Sequence, residues 1–245
     1  MATRRVYYDD PTARRIEARV VSIETGTGGA AGLILDATVF YPEGGGQPCD
    51  TGTIAGFPLQ SAAERGDDVV HLLLAGADEL RAVGLVPGSK VECVVDLERR
   101  LDHSEQHTAQ HLLSSVIMRV FGGATLSFHL GERYSSIDTN LPVLERADYD
   151  AVEDEVLKLI RDDYKVVTHL CPPEDPSSFS LRKEPVVETG VLRVVEIDGI
   201  EYSACCGTHV TGTGALGAFR LLKAEKYKGG SRLSFIAGSR AFNDY

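Results

Sequence analysis

His107 and His111 stand four residues apart in His107-Thr108-Ala109-Gln110-His111. A helix there would carry both imidazoles on one face, within reach of a single metal ion. One turn earlier the same face holds His103. Such a pair alone says little, because histidines on a polar helix edge are ordinarily satisfied by backbone or water. Far along the chain, Cys205-Cys206-Gly207-Thr208-His209 supplies a soft thiolate and a further imidazole. Together the two half-sites make a His/His plus Cys/His set that suits zinc, against the plain alternative of inert cysteines and a surface histidine. The thiolate is either Cys206, which lies nearer His209, or Cys205, which repeats the four-residue spacing. A zinc-protease helix needs a glutamate directly after its first histidine; Thr108 occupies that place, which demotes protease chemistry. Four protein ligands also close a tetrahedron, as structural zinc does, whereas catalytic zinc keeps a position for water. An enzyme built on this set needs one loose ligand, an expanded coordination shell, or a metal that mainly positions the substrate.

The elements that must bring the half-sites together follow from periodicity. Ala109, Leu112, Leu113, Val116, Ile117 and Val120 form one helical stripe that stops at Gly122-Gly123. A second helix is expected from about Asp148 as N-cap, with Val152, Val156, Leu159 and Ile160 inward and Lys158 and Arg161 near its end. Val191 to Ile197 and Ile200 to Ala204 flank Asp198-Gly199, a strong hairpin signal that delivers the chain to Cys205. Phe219 to Lys223 and Arg232 to Ile236 read as further strands. Before about residue 95 the runs are short and β-branched: Ile16 to Ile23, Gly32 to Phe40, Val69 to Leu74 and Lys90 to Val95, parted by clusters such as Glu43-Gly44-Gly45-Gly46-Gln47-Pro48. That pattern predicts a small barrel or sandwich. The fold class is therefore α+β, with a β domain over 1–95 and an α+β domain over 96–245, the boundary resting on the change of period alone.

Composition excludes little and directs more. At 245 residues, with 43% hydrophobic and 25% charged residues, the chain suits one large or two modest soluble domains, and no apolar run approaches a membrane span. The first residues carry no apolar leader, so a cytoplasmic protein is expected. Five dispersed cysteines argue for thiols rather than a disulfide framework. A formal net charge of −11 gives weak non-specific attraction to nucleic acid, so any such partner must be held by a local basic patch. Lys223, Lys226, Lys228 and Arg232, around Gly229-Gly230, supply one, with Arg99 and Arg100 as a possible extension; a solvated face is the plain alternative.

With these residues in hand the chain resembles the alanyl-tRNA editing proteins (AlaX family), relatives of the editing domain of alanyl-tRNA synthetase. Three motifs agree in order: Tyr41 to Pro48 through Asp50-Thr51-Gly52 is similar to the family's glycine-rich motif, His107 to Leu113 to its helix motif, and Cys205 to Val210 to its Cys/His motif. The editing domain of threonyl-tRNA synthetase is similar in the last region but typically has proline before the histidine, where this chain has Thr208. The resemblance implies an N-terminal β-barrel joined to an α+β editing domain, with zinc held by His107, His111, Cys205 and His209. It also implies an ATP-independent hydrolase that cleaves the ester of alanine tRNA wrongly charged with serine or glycine, amino acids that an alanine-shaped pocket rejects poorly.

Further roles are expectations of that resemblance. His103 is a candidate hydrogen-bond partner behind the metal ligands or a proton relay, against a solvated helix position. Thr108 and Ser127 are candidates to sense the serine hydroxyl, against ordinary turn hydrogen bonds. Gly44, Gly45 and Gly46 would let the backbone approach the editing cleft, with Gln47 donating and accepting, against an unremarkable tight turn. His129 follows Ser127, with a core or edge position as its plain reading. Lys223, Lys226, Lys228 and Arg232 would contact tRNA. The competing readings are a non-catalytic zinc-stabilised RNA-binding module, and a zinc hydrolase acting on another mischarged tRNA, ester or amide.

Overall fold

The computed structural model describes residues 2–26, 29–171, 179–182 and 192–244. The chain divides into two compact units, Met1–Leu101 and Asp102–Tyr245.

The first unit is built from β1 (Arg4–Arg5), α1 (Val6–Asp9), β2 (Arg15–Thr25), β3 (Ala30–Leu35), β4 (Ala37–Thr38), β5 (Gly52–Ile54), β6 (Phe57–Arg65), β7 (Asp68–Gly76), α2 (Ala77–Ala82) and β8 (Lys90–Val95). Six strands close into a barrel in the order β2-β3-β7-β6-β5-β8, with β8 pairing back to β2. Alternation along β7 and β8 turns Val69, Leu73, Val91, Cys93 and Val95 into the barrel core. The run Gly32 to Phe40, expected as one strand, is broken at Asp36, whose Oδ1 accepts from the Arg19 amide at 2.7 Å. Beyond that break β4 pairs with β1. Strand β6 escapes a period-two reading because a bulge between Leu59 and Ser61 shifts its inward set to Leu59 and Ala62. Asp50 and Arg100 form a fully buried ion pair in this unit. Arg100 also donates to the carbonyls of Pro11 and Val39, at 2.9 and 2.7 Å, and Asp50 accepts from the Tyr41 amide at 2.6 Å.

The helical period begins in α3 (Leu97–Phe121), 25 residues long. Asp96 caps its start by accepting from the Arg99 amide at 3.2 Å. Ala109, Leu112, Leu113, Val116 and Ile117 are buried as expected, but Val120 is 48% exposed, and its neighbour Phe121 packs against the core instead. After α3 come β9 (Thr125–Leu130), β10 (Ser135–Thr139), α4 (Arg146–Arg161), β11 (Val166–Cys171), β12 (Leu192–Ile197), β13 (Glu201–Ala204), β14 (Phe219–Tyr227), β15 (Gly230–Ala237) and α5 (Gly238–Asp244). They form a four-stranded sheet, β14-β15-β10-β9, and a three-stranded sheet, β11-β12-β13. The apolar stripe of α3 packs with Ile137, Leu233 and Phe235 of the first sheet and Val152 and Val156 of α4. Helix α4 is capped by Glu145 rather than Asp148: Asp148 is the third helical residue and its carboxylate accepts from the Glu145 amide at 2.8 Å, so the two carboxylates close a capping box. Val191, the first residue of one expected strand, lies outside the described residues. Among the described residues, no helix is long and apolar enough to cross a membrane.

Candidate metal centre

The apolar stripe of α3 has a polar counterpart. His103, His107 and His111 lie along one face, each buried, with Thr108 and Ser114 also buried nearby on the helix. The second half-site comes from the hairpin β12-β13. Gly199 takes φ 67, the left-handed conformation that lets Asp198-Gly199 turn the chain sharply. Alternation along β13 then puts Glu201 and Ser203 on its inward face with Cys205 following. Arg193 of β12 gathers the next residues: its Nη1 donates to the carbonyls of Cys205 and Gly207, both at 2.8 Å, and its Nη2 to Thr168 Oγ1 at 3.1 Å. The loop thus curls back and returns His209 towards the helix.

His107, His111, Cys205 and His209 converge, one ligand atom from each lying within 4.8 Å of all the others. Cys205 Sγ is 3.4 Å from Nε2 of His107 and 3.4 Å from Nε2 of His209. Bond lengths to zinc near 2.0 Å for nitrogen and 2.3 Å for sulfur put the sulfur–nitrogen edge of a tetrahedron at about 3.5 Å, so both Cys205 spacings fit the ion, and a thiol with three imidazoles is a donor set that suits it. Cys206 is exposed and outside the cluster, so the converging thiol is Cys205.

The surrounding hydrogen bonds fix the imidazoles. His111 Nδ1 meets Glu201 Oε1 at 2.8 Å, and Arg182 Nε holds the same oxygen at 3.1 Å. His209 Nδ1 meets Thr108 Oγ1 at 3.2 Å. Both contacts leave Nε2 as the ligand atom. Burial opposes charge on every one of these groups. At His111 the Glu201 carboxylate and Cys205 outweigh burial and push the pKa up to about 9. At Cys205 the imidazoles of His107 and His209 outweigh it and hold the thiol well below its usual range. At His209 burial wins over the thiolate, and the pKa falls to about 3. At Glu201 the positive charges of His111 and Arg182 outweigh burial and keep the carboxyl below the usual carboxylate range. The pocket therefore favours a thiolate and draws in positive charge, as a site for a divalent cation must.

Not every expected residue joins this centre. The Thr108 hydroxyl is fully used: it donates to the Ser104 carbonyl at 2.8 Å and faces the Val210 amide and His209 at 3.2 Å. With that capacity spent it orients His209 rather than reading a substrate hydroxyl. Ser127 sits exposed on β9 and donates to Asp138 Oδ2 at 2.6 Å; its neighbour Phe128 is the residue that meets His107, ring centroids 5.0 Å apart. His129 is exposed on the strand, and His103 is buried rather than solvated. In the first unit, Gly44 and Gln47 exchange backbone hydrogen bonds at 3.1 and 2.9 Å, closing a turn in which Gly45 and Gly46 take φ 57 and φ 85. Gln47 is buried. Of the basic patch, Lys223, Lys226 and Lys228 are exposed, Lys223 pairing with Glu225 at 2.7 Å, and Arg232 is half-buried and pairs with Asp138 at 2.6 Å. Arg99, the possible extension of that patch, donates to the Cys49 carbonyl at 3.3 Å, and Arg100 is buried against Asp50.

Residues 192–234, which hold Cys205 and His209, match the second additional domain of threonyl and alanyl tRNA synthetases. The chain is a homologue of the alanyl-tRNA editing proteins. It is 37% identical over 211 residues to alanyl-tRNA editing protein Aarsd1 of Mus musculus, covering 85% of this chain and 49% of that protein. It is 33% identical over 250 residues to alanyl-tRNA editing protein AlaX-L of Pyrococcus horikoshii, covering 98% of this chain and 59% of that protein. Alanine-tRNA ligase of Pyrococcus abyssi is 31% identical over 260 residues, covering 99% of this chain and 27% of the ligase. The chain thus spans about half the length of the editing proteins it matches.

Proposed function

We propose that this chain is a zinc-dependent deacylase that acts in trans on alanine tRNA wrongly charged with serine or glycine. The observation that carries the reading is the convergence of His107, His111, Cys205 and His209, from two distant segments, in a chain homologous to alanyl-tRNA editing proteins. These four residues would hold the ion. When bound, zinc supplies a Lewis acid that polarises a carbonyl and lowers the pKa of water. The protein's own groups set the stage for that chemistry. Glu201, steadied by Arg182, fixes the tautomer and angle of His111, and Thr108 does the same for His209. His103, buried on the same helix, is assigned to proton movement. An ester to a ribose hydroxyl is more labile than an amide, so positioning and modest electrostatic help suffice without a strong nucleophile.

In this reading the glycine-rich turn of Gly44, Gly45, Gly46 and Gln47 contributes to substrate recognition, and Lys226, Lys228, Lys223 and Arg232 contact the tRNA backbone. The test is release of serine, glycine and alanine from alanine tRNA charged with each. The zinc-loaded protein is expected to release serine or glycine well above the uncatalysed rate, alanine least, and His107→Ala to abolish the gain. Binding of tRNA with no turnover would instead make the chain a zinc-stabilised RNA-binding module, and turnover confined to other tRNAs would change the substrate.

A further inference from the structure

A cavity of about 230 Å³ opens within the second unit, lined by Ser114, Met118, Ala124, Thr125, Leu126 and Arg182 among others. It is tied to the metal centre at three points. Ser114 lies one turn beyond His111 on α3. Arg182 is the residue that holds Glu201 against His111. Leu126 stands two residues before Phe128 on β9, so its side chain shares the face that meets His107.

The walls select among the parts of a charged RNA end. Met118 and Leu126 are apolar yet 43% and 58% exposed, a surface that invites cover. The polar groups are donors. Ser114 Oγ accepts from both Gln110 Nε2 and Thr125 Oγ1, each at 2.7 Å, which leaves its own proton to give. Arg182 spends Nε on Glu201 and Nη2 on Ser203, leaving Nη1 without a hydrogen-bond partner among the described residues. An aminoacyl group brings an ammonium, which a guanidinium repels. A nucleobase brings a flat apolar face and a rim of acceptors, which this lining satisfies.

We infer that the cavity binds the terminal nucleoside of the substrate RNA, its base against Met118 and Leu126 and its acceptors towards Ser114 and Arg182, so that the ester falls at the metal centre. The identity of the ligand rests on the deacylase reading. The probe is free adenosine, which carries no phosphate, titrated into the zinc-loaded full chain by calorimetry alongside deacylation kinetics. Removing one leucine's apolar cover from a bound base is worth about 1.5 kcal/mol, so Leu126→Ser should weaken adenosine binding about tenfold. The same variant should raise KM for mischarged tRNA by a similar factor with kcat little changed, and Leu126→Phe should preserve both. Because Leu126 is exposed the fold should survive, and Met118→Gln gives an independent second reading of the same loss. No adenosine binding, or binding and KM indifferent to both substitutions, overturns the nucleoside site while turnover keeps the deacylase reading. Adenosine binding that Leu126→Ser weakens, in a protein without turnover, upholds the cavity and overturns the deacylase reading instead.

Discussion

Glu201 acts through one oxygen shared between His111 and Arg182, while its Oε2 is buried with no hydrogen-bond partner among the described residues. A carboxylate placed in this way raises the basicity of the imidazole and fixes which nitrogen faces the ion. Glu201→Gln keeps the shape and removes the charge, so zinc affinity should fall by about 10- to 100-fold, measured by competition with a chromophoric chelator. Affinity equal to that of the unaltered protein would show that Glu201 is only a partner for Arg182. The two half-sites were legible because four-residue spacing is itself a geometric statement. Glu201, Arg182 and Arg193 were not, since their partners are set by sheet register and by a loop that no local pattern encodes. One signal was available: once Asp198-Gly199 is read as a turn, period-two alternation puts Glu201, Ser203 and Cys205 on one face, which decides Cys205 over Cys206. Thr108 was read as a substrate group because its place beside the ligands was visible while its acceptors were not.

At the scale of elements, long regular segments were readable and interrupted ones were not. Helix α3 announced itself through its apolar stripe; β9, β10 and β11 did not, because their buried and exposed residues fail to alternate cleanly. Within the glycine-rich motif, Gly52 is the position where geometry is least forgiving. It takes φ 151, and a Cβ there would lie 2.1 Å from the Val94 carbonyl oxygen on the neighbouring strand β8. Gly52→Ala should therefore cost about 3 kcal/mol or more in urea unfolding, combining backbone strain with displaced pairing. Gly66→Ala, at φ 61 with nothing within 4 Å, should cost only about 1 kcal/mol. Equal costs would mean that β5 moves away from β8 without penalty. The β14-β15 hairpin tests the RNA contact separately. Its turn carries Lys228, with Lys226 just before it on β14, both exposed. Replacing both by alanine should reduce the slope of log K for tRNA against log salt by about 2, and an unchanged slope would place the contact elsewhere.

Among the described residues the two large hydrophobic cores are separate, one of barrel residues and one gathered around α3. Acid and metal removal should act on different ones. His71 is the one histidine of the first unit. It is fully buried, with Nε2 2.7 Å from Thr38 Oγ1 and Nδ1 3.1 Å from the Leu33 carbonyl. Burial lowers its pKa to about 4, against a smaller opposing effect of the Leu33 carbonyl. A base whose folded pKa lies below its unfolded value of about 6.5 stabilises the fold fully above that value and loses the contribution as pH falls towards 4. Between pH 7 and pH 5 the loss comes to about 2 kcal/mol. Zinc, by contrast, stabilises the second unit by RT ln(1 + [Zn]/Kd), about 4 kcal/mol at a thousandfold excess over Kd. Amide exchange, corrected for its intrinsic pH dependence, should thus show β3 and β7 losing protection at pH 5 with zinc present. At pH 7, a chelator should instead expose β13 and the second half of α3. Loss of protection in both units under either treatment would mean that the two cores unfold as one cooperative whole.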